Sequence, residues 1–208
     1  MSAKIIPSIM AKSQTELNQD LKKLRSVTNW VHLDVADGKF VHNKVLHFPF
    51  KLKKTFHYSA HLMIEHPLPW IKKHLHQIDL FIPQLETIKS PPKYITWTKS
   101  QKKPVAFALK PATKITRLKS FLKDIDYLLI LTVHPGFYGA LFLPSALKKI
   151  PAIKKLNPQI KIIIDGGMHP QTIKQTKKYK IDYYISGSYT TKAESPKKSI
   201  SHLLNALK

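Results

Sequence analysis

Along its whole length the chain alternates short apolar, β-rich runs with amphipathic lysine-rich segments, and few folds accept that rhythm. Strands are expected at 4–8, 30–35, 58–63, 79–83, 105–109, 127–133, 160–164 and 183–186. The run 127–133 is almost wholly apolar, as befits a strand buried on both faces. Between the strands, Ser13-Gln14-Thr15-Glu16 reads as a capping box opening a helix whose Leu17, Leu21 and Leu24 share one face. Further helices are expected at 67–76, after Ser90-Pro91-Pro92, and at 113–122, 144–156, 170–180 and 196–207. Strand and helix alternating every ~20 to 30 residues is the pattern of parallel βαβ units. A closed (β/α)8 TIM barrel, one α/β domain over residues 1–208, fits best, near the lower size limit for that fold; an open doubly wound sheet is the alternative.

Composition narrows the chemistry. With no cysteine there is neither a disulfide framework nor a thiolate site, so any metal must be held by His, Asp or Glu. The first residues lack the apolar stretch of a signal peptide and no run approaches a membrane span, so a cytoplasmic protein is expected. Thirty-five Lys and Arg against 12 Asp and Glu give a formal charge of +23, which attracts anions of any kind. The lysines are spread in pairs such as Lys22-Lys23, Lys148-Lys149 and Lys177-Lys178 rather than gathered in one tract. That favours a solvated basic surface over a nucleic-acid site.

Polar residues recur where apolar strands should end. In Trp30 to Phe40, WVHLDVADGKF, His32 and Asp34 project from one face of an extended chain, and a buried imidazole and carboxylate require either a hydrogen-bonded pair or a metal. The same strand-end set holds Ser8, His61, Glu86, Lys110, Thr132, His134, Asp165, Ser186 and Ser188. In a barrel these ends carry the chemistry. His32, Asp34, His61 and Asp165 together make a sulfur-free set suited to one divalent ion: Zn²⁺, Fe²⁺, Mn²⁺ or Co²⁺. Asp34 and Asp165 would then face each other across the barrel, an arrangement for moving a proton from one face of a carbon to the other. The remaining histidines, His42, His47, His57, His66, His74, His76, His169 and His202, read as surface or loop residues. Three glycine turns, Pro135 to Gly139, Asp165-Gly166-Gly167 and Ser186-Gly187-Ser188, follow the last three strands, where such barrels commonly bind phosphate.

In this ordered set the chain resembles the ribulose-phosphate 3-epimerase family. The matching residues are Pro7-Ser8-Ile9; His32-Leu33-Asp34-Val35-Ala36-Asp37-Gly38 with Phe40-Val41 and Asn43; His61-Leu62-Met63; Glu86; Lys110-Pro111 with Thr113; Thr132-Val133 with Pro135-Gly136-Phe137; Asp165-Gly166-Gly167; and Gly187-Ser188. The resemblance implies a metal-dependent isomerase of the pentose phosphate pathway that interconverts D-ribulose 5-phosphate and D-xylulose 5-phosphate. It implies His32, Asp34, His61 and Asp165 as metal ligands, Asp34 as the base at C3 and Asp165 as the acid on the opposite face, with the metal stabilising a cis-enediolate. Ser8 and His61 would meet the substrate. Gly136, Phe137, Tyr138, Gly139, Asp165, Gly166, Gly167, Gly187 and Ser188 would complete its site, the glycines chiefly around the phosphate. A homo-oligomer, dimer or hexamer, is expected of such barrels.

The chain departs from the family pattern at several places. Ala36 and Leu131 stand where methionines are usual, leaving Met63; Tyr138 and Ala140 replace the usual Gly and Gln of the phosphate turn; Gln84 stands where a His is common. These changes motivate two other readings: a 3-epimerase for a six-carbon ketose phosphate such as allulose 6-phosphate, and a degenerate barrel that binds sugar phosphate or nucleic acid with little activity.

Overall fold

The computed structural model describes residues 3–136 and 139–208. Among these, eight parallel strands form the expected barrel: β1 (Lys4–Ile9), β2 (Trp30–Asp37), β4 (His57–Met63), β5 (Leu80–Pro83), β6 (Ala106–Leu109), β7 (Tyr127–Leu131), β8 (Lys161–Asp165) and β9 (Tyr183–Ser186). Their order is β5-β4-β2-β1-β9-β8-β7-β6. The ring closes between β5 and β6 through one bridge, Gln84 to Ala108. A two-residue strand, β3 (Lys44–Val45), pairs antiparallel with Ala36 and Asp37 at the end of β2.

Alternation along the strands sorts side chains into two cores. Ile6, Ile82, Ala106, Ala108, Leu129, Leu131, Ile163 and Ile185 fill the barrel interior. Their neighbours, among them Leu33, Leu62, Leu128, Ile130, Ile162 and Ile164, face outward into a larger layer beneath the helices. Those helices are α1 (Gln14–Leu24), α2 (Pro67–Lys73), α3 (Pro91–Ser100), α4 (Ile150–Leu156), α5 (Pro170–Thr176) and α6 (Pro196–Leu207). Ser13 caps α1 by accepting from Glu16 N at 3.1 Å, and Leu17, Leu21 and Leu24 are buried as their spacing predicts. The Glu16 carboxylate accepts from Lys12 N rather than Ser13 N, one residue earlier than a capping box requires.

Two expected helices take another form. Over 113–122 there are 3-10 turns, Ile115–Leu118 and Leu122–Asp124. The β-branched Thr113, Ile115 and Thr116 favour α-helix weakly, and the Thr113 hydroxyl is committed to Glu86. Over 144–156 a 3-10 segment, Pro144–Lys149, precedes α4. Pro151 has no N–H for the carbonyl of Leu147, so an α-helical ladder cannot run through that point.

A chain with only 12 acidic residues spends three of them alike. Asp79, Asp126 and Asp182 each follow an isoleucine and precede a strand. Each accepts the backbone N–H of a residue at the start of the neighbouring strand, Tyr58, Val105 and Ile162 respectively, at 2.8 Å. Each returns its own N–H to that residue's carbonyl, at 2.9, 2.9 and 3.0 Å. These paired bonds tie adjacent strands together, β4 to β5, β6 to β7 and β8 to β9, at the floor of the barrel and leave its other end free to carry polar groups.

Candidate active site and metal centre

The registers explain how the polar groups meet. Ser8 pairs with His32, His32 with Ser59, and Asp34 with His61, so these side chains point into one end of the barrel from three adjacent strands. Asp165, the last residue of β8, enters from across the interior. His32 is fully buried, His61 is 1% exposed and Asp34 5%. His61 Nδ1 lies 3.4 Å from Asp34 Oδ1 and 3.6 Å from Asp165 Oδ2, while His32 Nε2 lies 3.6 Å from the same Asp34 oxygen. One donor atom from each of His32, Asp34, His61 and Asp165 falls within 4.8 Å of all the others, so the four side chains can converge on one ion. His32 Nε2 is buried and has no hydrogen-bond partner among the described residues. A buried polar atom left so is costly unless it meets a ligand.

The two carboxyls differ in character. Burial works against the charged form of Asp34, but the bond from His61, the neighbouring His32 and a bond from Ser8 outweigh it and hold this carboxyl below the usual range. Burial and the Asp34 charge push the Asp165 carboxyl well above it, against one bond from Gly166 N. The two carboxyls are thus pushed in opposite directions, the separation that a base and an acid require. Burial drives the His32 ring down to about 4, so it is neutral and able to offer a lone pair.

Ser8, Asp34, His61 and Asp165 line a cleft with Gly136, Gly139, Gly166, Gly167, Gly187 and Ser188. Phe137 and Tyr138, expected in the same cradle, lie outside the described residues. The tightness of the cradle is clearest at Gly166, where an added Cβ would come within 2.4 Å of Val133 Cγ2 and φ is +110°. Only glycine admits that approach.

Other strand-end residues are used differently. The Thr132 hydroxyl donates to the carbonyls of Asp165 and Gly166, at 2.8 and 2.7 Å, and sets the course of the glycine turn. Ser186 donates to Met168 O. Glu86 accepts from Lys110 N and from the Thr113 hydroxyl, fastening two loops beside the barrel's closing bridge. Lys110 sits 4.0 Å over the Phe40 ring, and His134 is exposed. His74, expected at the surface, is 5% exposed and stacks on Trp70 and Phe50 at 4.1 and 4.9 Å, filling the layer under α2.

Met10 and Met168 also line the cleft beside Met63, so three of the chain's four methionines do so. Sequence reasoning singled out Met63 alone. The available signal was position: in a methionine-poor chain, Met10 follows β1 by one residue and Met168 follows β8 by three.

Residues 4–191 match the family model described as the Ribulose-phosphate 3 epimerase family. The chain belongs to this family. It is therefore an enzyme, a carbohydrate epimerase of the isomerase class. Among similar proteins is the ribulose-phosphate 3-epimerase of Eremothecium gossypii, 29% identical over 96% of this chain and 90% of that one. That of Schizosaccharomyces pombe is 27% identical over 100% and 95%. That of Mycobacterium leprae is 27% identical over 98% and 94%. Among solved structures, tryptophan synthase from Mycobacterium tuberculosis superposes with a TM-score of 0.71 at 10% identity, covering 99% of this chain and 93% of that one. The 3-keto-L-gulonate-6-phosphate decarboxylase of Vibrio cholerae gives 0.70 at 11% identity, covering 100% and 98%. At such low identity these two speak for the barrel alone. Among the described residues of this epimerase-family chain, no helix is long and apolar enough to cross a membrane.

Proposed function

We propose that this chain is a metal-dependent ribulose-phosphate 3-epimerase acting on D-ribulose 5-phosphate and D-xylulose 5-phosphate by two-base proton transfer at C3. The observation that carries the reading is the pair of unlike carboxyls flanking His61 Nδ1 at the head of a glycine-lined cleft. The relatives' names supply the substrate. The residues present fit a divalent ion: two imidazoles and two carboxyl groups converge, and His32 Nε2 is buried without another partner among the described residues. Bound there by His32, Asp34, His61 and Asp165, the ion would supply positive charge against the negative charge that develops on the substrate oxygens.

The chain's own residues do the rest. Asp34, held ionised, takes the C3 proton. Asp165, across the barrel and disposed to hold a proton, delivers one to the opposite face, so C3 is inverted. Gly136, Gly139, Gly166, Gly167, Gly187 and Ser188 cradle the phosphate through backbone N–H groups and fix C3 between the carboxyls. Met10, Met63, Met168 and Leu131 give the cleft an apolar wall that keeps bulk water from the carbanionic centre.

The test is turnover of ribulose 5-phosphate by chelator-stripped protein resupplied separately with Zn²⁺, Fe²⁺, Mn²⁺ or Co²⁺, in ²H₂O, with allulose 6-phosphate in parallel. Metal-dependent formation of xylulose 5-phosphate is expected. Asp34→Asn should lower kcat by about 10²–10⁴-fold with no deuterium entering substrate. Asp165→Asn should leave recovered ribulose 5-phosphate deuterated at C3 but not inverted. Near-normal turnover by either variant would sink the two-base assignment, and turnover of allulose 6-phosphate alone would move the substrate to six carbons.

A further inference from the structure

Gln84 is fully buried, and its side-chain nitrogen lies 2.7 Å from His61 Nε2. Its amide oxygen is buried with no partner among the described residues. The residue is firmly rooted: its N donates to Leu62 O, its carbonyl accepts from Thr87 N and the Thr87 hydroxyl, and it forms the bridge to Ala108 that closes the barrel. The side chain therefore approaches the outward edge of the His61 ring from a fixed point, while the inward nitrogen, Nδ1, faces Asp34 and Asp165.

The two ends of a carboxamide are nearly the same in shape and opposite in function, so the proton on the ring decides which end should face it. With the ring proton on Nδ1, directed at the carboxylates, the Gln84 NH₂ can donate to Nε2. When His61 instead offers the Nδ1 lone pair to an ion, its proton is on Nε2. An NH₂ group 2.7 Å away would then set donor against donor, whereas the amide oxygen can accept. His32 is backed in the same manner: its Nδ1 lies 2.8 Å from the Ser59 hydroxyl, another group able to donate or accept, and its Nε2 points into the centre. Both imidazoles thus have their outer nitrogen on a neutral group that suits either tautomer.

We propose that Gln84 is a positioning residue for the metal centre, its amide turning so that Oε1 accepts Nε2–H of His61 and holds the ring's Nδ1 lone pair toward Asp34 and Asp165. The proposal rests on the metal-dependent reading above. Outer partners of metal-bound histidines fix the ring's tautomer and orientation and raise its basicity.

The test uses Zn²⁺ itself, in chelator competition against the full chain, with the histidines labelled with ¹⁵N. The Zn²⁺-loaded protein should give a His61 spectrum with a metal-shifted Nδ1 and a proton on Nε2. Gln84→Met keeps the length of the side chain but removes the acceptor, and should weaken Zn²⁺ binding by about 10–100-fold. Gln84→Glu, an acceptor only, should bind Zn²⁺ at least as tightly as the parent. Equal affinity in parent and Gln84→Met, weaker binding by Gln84→Glu than by the parent, or a loaded His61 carrying its proton on Nδ1, overturns the role of Gln84 and leaves the metal reading standing. A parent chain that binds no Zn²⁺ overturns both. Should Gln84→Met fail to fold by circular dichroism, the parent spectrum and the glutamate variant still decide.

Discussion

At the scale of single residues, sterics and chemistry meet most closely at Gly166. A methyl group there meets both Val133 methyls, at 2.4 and 2.8 Å, and must also occupy φ +110°. Gly139 has φ +79° but nothing within 4 Å of an added Cβ. Thermal or urea unfolding should therefore separate the two costs: about 2–4 kcal/mol for Gly166→Ala and about 1 for Gly139→Ala. Equal losses would mean that Val133 yields freely. The convergence of His32, Asp34, His61 and Asp165 was legible in the sequence because period-two alternation and the strand-end position together put side chains on the same inner face. Met10 and Met168 were not, since both lie on loops, where no periodicity encodes direction. The contacts of Ser59 and Gln84 with the outer nitrogens of His32 and His61 were hidden, Gln84 standing out only as a departure from the family pattern, because such contacts depend on register between strands rather than on spacing along one.

At the scale of elements, α2 shows how a polar residue can serve as core. His74 closes this helix and lies stacked on Trp70 and Phe50, and burial holds its ring below the usual imidazole value, against the bond it donates to Gln77 Oε1. The unfolded ring takes up its proton near pH ~6.5, before the folded one does. Hence the stability is whole above that pH and declines as pH falls from there toward the lower folded value. His74→Phe, which preserves the stacking, should reduce the drop in urea midpoint between about pH 7.5 and 5 in metal-free protein. His32, held to about 4, contributes to both proteins and cancels; an undiminished drop would show that His74 carries none of the effect. Helical type was less legible than helical existence. Hydrophobic spacing found the segments over 113–122 and 144–156, but β-branching and Pro151 decided that they form 3-10 turns wholly or in part.

At the scale of the whole molecule, the barrel was legible because eight alternations admit few closed arrangements, whereas the surface charge was legible only as a sum. Of the 12 acidic residues, Asp34 and Asp165 face the centre, and Asp37, Asp79, Asp126 and Asp182 accept backbone N–H bonds. Even together the 12 offset only a third of the 35 basic side chains; Lys192 with Glu16 and Asp20, at 3.1 and 3.2 Å, and Lys154 with Asp182, at 3.3 Å, are local exceptions. Self-repulsion should accordingly be screened by salt, and the melting temperature should rise between about 10 and 300 mM NaCl. A midpoint indifferent to salt would mean that the lysines are spaced widely enough to ignore one another. The single bridge between β5 and β6 has a different consequence. Strands β1 to β5 and β6 to β9 are contiguous in the chain, share a continuous ladder where β1 meets β9, and are bridged once at the other edge. The molecule is thus two half-barrels joined along two seams, with His32, Asp34, His61 and Gln84 in the first and Asp165 with the glycine turns in the second. The group proposed to remove the proton and the group proposed to return it belong to separate halves, so neither half could perform the chemistry without the other.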